Sequence, residues 1–340
     1  MPTDLLEARV PIVAAPMAGG PTTVELARAV ADADGFPFLA GGNKTPEALA
    51  DEIAALRAHG APFGVNLFVP SPDEPDAAAL AAYAGAIRQE AERYGITLDP
   101  TPAADDDGWR DKLALLVADP VPVVSLTFGL PAAADIAALR GAGSRVLASV
   151  TTTQEALAAA EAGVDGLVVQ GPDAGGHSAV HQPERMPGHV PTAEVVAHVR
   201  AAVPLPLVAA GGVDGPDAVR RLRAAGAEAV AVGTLLLRTD EAGTNPVHRA
   251  ALADPAFTET VLTRAFTGRP ARSLRNRFTD AYSALAPVAY PAVHRLTREL
   301  RQAAVRAGDP DLVHLWAGTG FRAAPEGPAG DVIRRLAEGA

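Results

Sequence analysis

The sequence predicts an α/β protein of the (β/α)8 TIM-barrel class. Three observations carry this: eight short apolar runs recur along the chain, alanine-rich stretches of helical composition separate them, and the runs end in glycine or polar residues. The runs cover residues 10–15, 36–40, 64–68, 121–126, 145–150, 166–170, 205–210 and 229–232. Their near-continuous apolar character fits a parallel sheet covered on its outer face.

Each element has a local reason. Pro11, Pro62, Pro122 and Pro206 stand at or near run starts, where a missing N–H costs little. Thr22-Thr23-Val24-Glu25 and Thr151-Thr152-Thr153-Gln154-Glu155 place hydroxyl caps ahead of a carboxylate that can reach back to a free amide, so helices should begin there. The stretches 152–162 and 216–225 read as helices, and Gly163 and Gly226 follow them as C-terminal stops.

Two regions depart from the repeat. Residues 70–118 form an insertion after the third strand, containing the proline-rich and acidic Pro70-Ser71-Pro72-Asp73-Glu74-Pro75, a helix over 77–94, and Asp105-Asp106-Asp107. The triple aspartate reads as a solvated turn, because consecutive carboxylates without spaced oxygen ligands make a poor metal site. The barrel is expected over 1–240, and 241–340 as a C-terminal helical extension packed on it, roofing its site without forming an independent domain.

Composition narrows the function. The chain has 340 residues, no cysteine and a formal charge of -11. Disulfides, thiolate metal sites and cysteine nucleophiles are excluded, which removes inosine monophosphate dehydrogenase, and a general nucleic-acid binder is disfavoured. No apolar run is long enough for a membrane helix, and Met1 to Glu7 lack a signal-peptide pattern, so a cytoplasmic protein is expected. Arg264, Arg269, Arg272, Arg275 and Arg277 cluster locally and are expected to pair with carboxylates of the same chain. A homo-oligomer is left open.

In a barrel of this class the site is built from loops at the C-terminal ends of strands, with phosphate commonly held after the seventh and eighth. Gly211 and Gly212 end the seventh run and Gly233-Thr234 the eighth, so backbone amides and one hydroxyl can converge there. Other strand ends supply Ala15-Pro16-Met17, Asn66, Ser125 and Gln170, whose donors and acceptors suit a flavin mononucleotide, FMN. The sixth run leads into Gly171-Pro172-Asp173-Ala174-Gly175-Gly176-His177, a glycine-rich turn delivering a titratable base. His181 reads as a loop histidine without the further ligands of a metal site, and His59, His198 and His248 as helix-surface residues.

The segments 11–20, 63–68, 168–177 and 209–213 resemble the nitronate monooxygenase family, formerly called 2-nitropropane dioxygenases. The likeness spans nearly the whole chain and includes the tail motifs 262–269, 276–278 and 314–318. It implies an FMN-dependent barrel that oxidises alkyl nitronates, propionate 3-nitronate-like, with dioxygen. By that resemblance Asn66, Gln170, Gly175, Gly212 and the run Ala231, Val232, Gly233 and Thr234 contact FMN, and Ala15, Pro16 and Met17 lie beneath its ring; Gly176, beside Gly175, is expected to bind it as well. His177 matches the family's active-site histidine. Ala231, where many relatives carry glutamine, and Ser178, where many carry arginine, depart from the pattern, as does 34–37 in place of a glycine-rich run; these bear on substrate more than on cofactor.

His177 would then either stabilise a nitronate anion when protonated or remove an α-proton from a neutral nitroalkane when unprotonated. Two other readings stay open: an FMN-dependent NAD(P)H reductase of enoyl thioesters or quinones, and a non-catalytic flavin-binding protein.

Overall fold

A computed structural model describes residues 5, 6, 8–71, 76–101 and 105–340. The stretch 72–75 and most of the leader residues, Met1 to Asp4 and Glu7, lie outside the described residues. Eight parallel strands close into a barrel: β1 (Ile12–Ala14), β2 (Phe36–Ala40), β3 (Gly64–Phe68), β4 (Val123–Thr127), β5 (Arg145–Val150), β6 (Gly166–Gln170), then β8 (Leu207–Ala210) and β9 (Ala229–Val232), with the two-residue β7 (Gly176–His177) outside it. Closure is the pairing of β9 with β1, in register Val13 with Ala231.

The first, fourth and seventh predicted runs begin two residues early. Pro11, Pro122 and Pro206 stand directly before or one residue before the ladders, and proline has no N–H to donate to them. Both predicted hydroxyl caps form, Thr23 Oγ1 accepting from Leu26 N at 2.9 Å and Thr152 Oγ1 from Glu155 N at 3.1 Å, but of the two carboxylates Glu155 alone reaches back, accepting from Thr151 N at 2.6 Å.

Inside the barrel, Val13, Phe36, Phe38, Val123, Leu147, Val208 and Ala229 form a packed layer closed from below by Leu5, Leu6 and Ala8. Gly64 is required there, because a Cβ would enter the Phe38 ring. A larger apolar shell lies between the strands and the surrounding helices.

The last ring helix is Ala329–Ala337, from the chain's end. It packs against the helices Val24–Asp32 and Pro216–Ala224 and buries Ile333 and Leu336 in the outer shell. The ring is therefore not completed within 1–240. Residues 241–340 are also not helical throughout: β10 (Thr260–Thr263) and β11 (Ala271–Leu274) form an antiparallel sheet with β7. The insertion helix Ala77–Glu92 packs on the tail helix Ala292–Ala307, and Tyr83 donates to Ala265 O at 2.6 Å. Insertion and tail thus share one apolar cluster.

The three aspartates are not simply a solvated turn. Asp105 pairs with Arg295 at 2.7 Å, while Asp107 pairs with the buried Lys112 at 2.8 Å and accepts from Asn43 N at 2.8 Å. Among the described residues, no group of His, Cys, Asp and Glu is placed to hold a metal, and no helix is long and apolar enough to cross a membrane.

Candidate active site

A cavity of about 720 Å³ opens at the C-terminal ends of the barrel strands. It is lined by every residue singled out for the site: Ala15, Pro16 and Met17 after β1, Asn66 on β3, Ser125 on β4 and Gln170 on β6. Gly175, Gly176 and His177 line it from the next loop, Gly211 and Gly212 after β8, and Ala231, Val232, Gly233 and Thr234 at the end of β9.

One wall consists of free backbone donors. Among the described residues, the amides of Gly211, Gly212 and Gly233 have no protein acceptor. Gly211 and Gly212 hold φ of 114° and 72°, a region side chains disfavour, and a Cβ on Gly212 would lie 3.2 Å from Asp173 Cβ. Such adjacent free amides form an anion-binding concavity. The tail closes over this wall: Gly318 N donates to Thr234 Oγ1 at 2.9 Å and Thr319 N to Asp173 O at 3.0 Å. Gly175 is glycine for that reason, since a Cβ would run into the Gly318 backbone.

A second wall is polar and oriented. Asn66 Oδ1 accepts from Ser125 Oγ at 2.9 Å and Thr127 Oγ1 at 2.8 Å, which leaves its two Nδ2 hydrogens for the cavity. Gln170 is committed differently: Nε2 donates to His177 O at 3.1 Å and Oε1 accepts from Ala179 N at 2.7 Å. Its side chain clasps the histidine loop to β6. The same loop is fixed from outside by β7 pairing with β11, Ala271 opposite His177.

The third wall surrounds His177. Its Nε2 lies 2.9 Å from Thr267 Oγ1, and its ring is met by Phe128, Tyr290 and Trp316 at 5.6, 5.6 and 5.4 Å between centroids. His177 touches the cavity yet lies deep from bulk solvent, and burial, with Arg269 and Arg301 adding to it, lowers its pKa to about 3. The imidazole is therefore neutral at physiological pH. Burial and Arg301 also push His294 down to about 2 and His314 well below the ordinary histidine range.

His248 is not a surface residue. It is buried, lines the same cavity, and burial lowers its pKa to about 4 despite a hydrogen bond to the Trp316 backbone. His198 is exposed, His59 pairs with Asp32 at 3.0 Å, and His181 bonds Ser149 O at 3.1 Å. The arginine cluster divides: Arg275 and Arg277 pair with carboxylates, but Arg264, Arg269 and Arg272 donate to backbone carbonyls that tie the tail to the loops after β6.

Several site residues carried no individual signal in the sequence reading: Phe128, Tyr290, His294, Arg298 and Arg301. The signal available was spacing, since His294, Arg298 and Arg301 fall at i, i+4 and i+7 on the helix Ala292–Ala307 and so share the face that lines the cavity.

The chain matches the family described as nitronate monooxygenase over residues 3–339. It is 35% identical to the nitronate monooxygenase of Pseudomonas aeruginosa over 355 residues, covering 99% of this chain and 97% of that one. Among solved structures it is similar to nitroalkane oxidase from Streptomyces ansochromogenes, with 46% identity, a TM-score of 0.92, and 99% and 98% of the two chains covered. FabK from Thermotoga maritima aligns with 26% identity and a TM-score of 0.76 over 99% of this chain and 94% of its own.

Proposed function

The chain belongs to the nitronate monooxygenase family and is an oxidoreductase, and from that premise we propose that it oxidises alkyl nitronates, of the propionate 3-nitronate type, with dioxygen by means of non-covalent FMN. The observation that carries this reading is the meeting of two unlike walls in one cavity: free amides at Gly211, Gly212 and Gly233, and a neutral, half-buried His177.

The residues fit the cofactor. The free amides suit a terminal phosphate, the Asn66 Nδ2 hydrogens suit a ring nitrogen or carbonyl, and Ala15, Pro16 and Met17 offer an apolar floor. Bound there, FMN would supply a two-electron acceptor that dioxygen can regenerate.

The chain's own part is to bind, orient and keep dry. A neutral His177 can donate one hydrogen bond to a nitronate oxygen, or accept the α-proton of a neutral nitroalkane on its free ring nitrogen; its low pKa argues against a standing imidazolium. Thr267 holds Nε2, and Gln170 holds the loop backbone, so the ring keeps one orientation. Phe128, Tyr290 and Trp316 restrict water around it.

The test is an absorbance spectrum of the purified protein, followed by oxygen consumption with a nitronate and, separately, NAD(P)H oxidation with an enoyl thioester or quinone. Flavin absorbance with nitronate-dependent oxygen uptake is expected. NAD(P)H-dependent reduction without nitronate turnover would replace this reading with a reductase, and an inert yellow protein with a flavin carrier.

A further inference from the structure

Arg301 is a buried cation without a carboxylate. Its side chain lines the cavity, and among the described residues no Asp or Glu lies within ion-pair distance of it. Its donors go to neutral acceptors instead: Nε to Thr297 Oγ1 at 3.0 Å, Nη2 to His294 O at 2.8 Å and to His294 Nδ1 at 3.3 Å, and Nη1 to the His314 ring at 3.3 Å. These bonds engage all three of its nitrogens but leave its charge uncompensated, which is costly away from water.

Arg269, which like Arg301 acts on His177 electrostatically, repeats the pattern. It is buried, its guanidinium lies 4.1 Å from the centre of the Phe128 ring, it donates to the carbonyls of Val180 and Phe128, and its Nε has no partner. The facing imidazoles of His177, His294 and His314 are neutral and supply no negative charge. The one carboxylate lining the cavity among the described residues, Asp173, lies beside Gly212 and accepts from Thr192.

We infer that Arg301, supported by Arg269, is a specificity-determining residue: its unpaired charge makes the cavity beside His177 select a compact planar oxyanion over the neutral molecule of the same shape. The inference rests on the nitronate reading and deepens it, because a nitronate is its parent nitroalkane less one α-proton and so carries the negative charge that the nitroalkane lacks. In a site with little water, a fixed cation discriminates between them far more strongly than it would in bulk solvent.

The test is calorimetric binding of nitrate and of nitromethane to the flavin-loaded protein, in the parent, Arg301→Gln and Arg301→Lys. Arg301→Gln should weaken nitrate by about 10- to 100-fold, the range for losing a hydrogen-bonded charge partner. Arg301→Lys should stay within about 5-fold of the parent, and nitromethane should move less than about 2-fold in either variant. Parent-like nitrate binding by Arg301→Gln overturns the inference. So does parallel loss of nitrate and nitromethane, which would mark a structural role, or a parent that does not bind nitrate. If Arg301→Gln does not fold, Arg301→Lys decides: it keeps the charge while losing the forked bonds to both imidazoles, so loss of nitrate there counts against the inference and retention supports it. Nitrate selectivity without nitronate turnover removes the proposed reaction and leaves the anion site standing; turnover without nitrate selectivity removes the anion site alone.

Discussion

His177 Nε2 lies 2.9 Å from the Thr267 hydroxyl, which in turn lies 3.4 Å from the carbonyl of Arg269. A hydroxyl has one hydrogen to give. If it goes to the Arg269 carbonyl, Nε2 carries the imidazole proton and Nδ1 is the free base; if it goes to Nε2, the assignment reverses. Either way the tail residue Thr267 selects the tautomer of a histidine ninety positions earlier in the chain.

Thr267→Val removes that partner while keeping the shape. It should lower kcat about 10-fold with a smaller change in KM, and Thr267→Ser should recover most of the loss, because an unpaired buried polar group costs about 1–3 kcal/mol. Steady-state kinetics on flavin-replete proteins check this. Equal loss in the Ser variant would mean that the methyl group, not the hydroxyl, matters.

Gln170 tests the other support of the same ring. Gln170→Leu abolishes the bonds to His177 O and Ala179 N. The histidine loop should then loosen from β6, with a fall in kcat of about 10-fold and a rise in amide exchange over 176–180. Parent-like exchange with unchanged turnover would show that pairing of β7 with β11 suffices.

The barrel frame was legible because each strand writes its own apolar run and some helices, such as those capped by Thr23 and Thr152, mark their own starts. The sheet of β7, β10 and β11 was not. Thr260–Thr263 and Ala271–Leu274 mix polar and apolar residues over four positions, and β7 is only Gly-His, so pairing across about a hundred residues creates the element. The ring helix Ala329–Ala337 was hidden likewise, since a helix at the chain's end carries no sign of returning to the start. His248 misled for a related reason: between Val247 and Arg249 it looks like a surface residue, yet in the fold it is buried and hydrogen-bonded to the backbone of Trp316, far along the chain. Asn66 on β3 and Gly212 just past β8 were legible because barrel topology fixes which end of the strands the cavity occupies, and His177 because it follows a glycine-rich turn after β6.

Four depressed histidines make stability acid-sensitive. His177, His248, His294 and His314 are held neutral in the native protein, mainly by burial, whereas in the unfolded chain they titrate near their ordinary value of 6.5. Above pH 6.5 both states are neutral and the stability is fully present. As pH falls below 6.5, the unfolded chain gains protons the native one refuses, so stability is lost toward pH 4 and 3, where His248 and His177 titrate. Each site contributes at most about 1.4 kcal/mol per pH unit over that window. Denaturant midpoints at pH 7.5, 6.0 and 5.0 should fall progressively, and a flat profile would contradict the buried neutral cluster.

Gly212→Val addresses the phosphate wall. Valine resists φ of 72°, and its Cβ would crowd Asp173, so the amides of Gly211 and Gly212 should turn away from their common focus. FMN retention should fall by about 10-fold or more, since each lost charge-assisted bond is worth about 1.5–3 kcal/mol. Equilibrium dialysis of the folded variant measures it. Unchanged affinity would move the phosphate elsewhere.

The decisive substitution is at His177. If the ring only binds the nitronate, His177→Asn keeps a donor and turnover of nitronates should fall about 10- to 100-fold, whereas activity on neutral nitroalkanes, which needs a base, should fall by about 10²- to 10⁴-fold. The two substrates therefore separate the two roles. The pH profile adds an independent arm: with the ring's pKa at about 3, nitronate turnover in the parent should show no inflection near 6.5 that disappears in His177→Asn. Such an inflection would mean a working imidazolium, and the neutral ring would be wrong. FMN content must be matched, because His177 shares its loop with Gly175, on which the tail closes. Parent-rate nitronate oxidation by both His177→Asn and His177→Ala, folded and flavin-loaded, would leave this loop a role in cofactor binding alone.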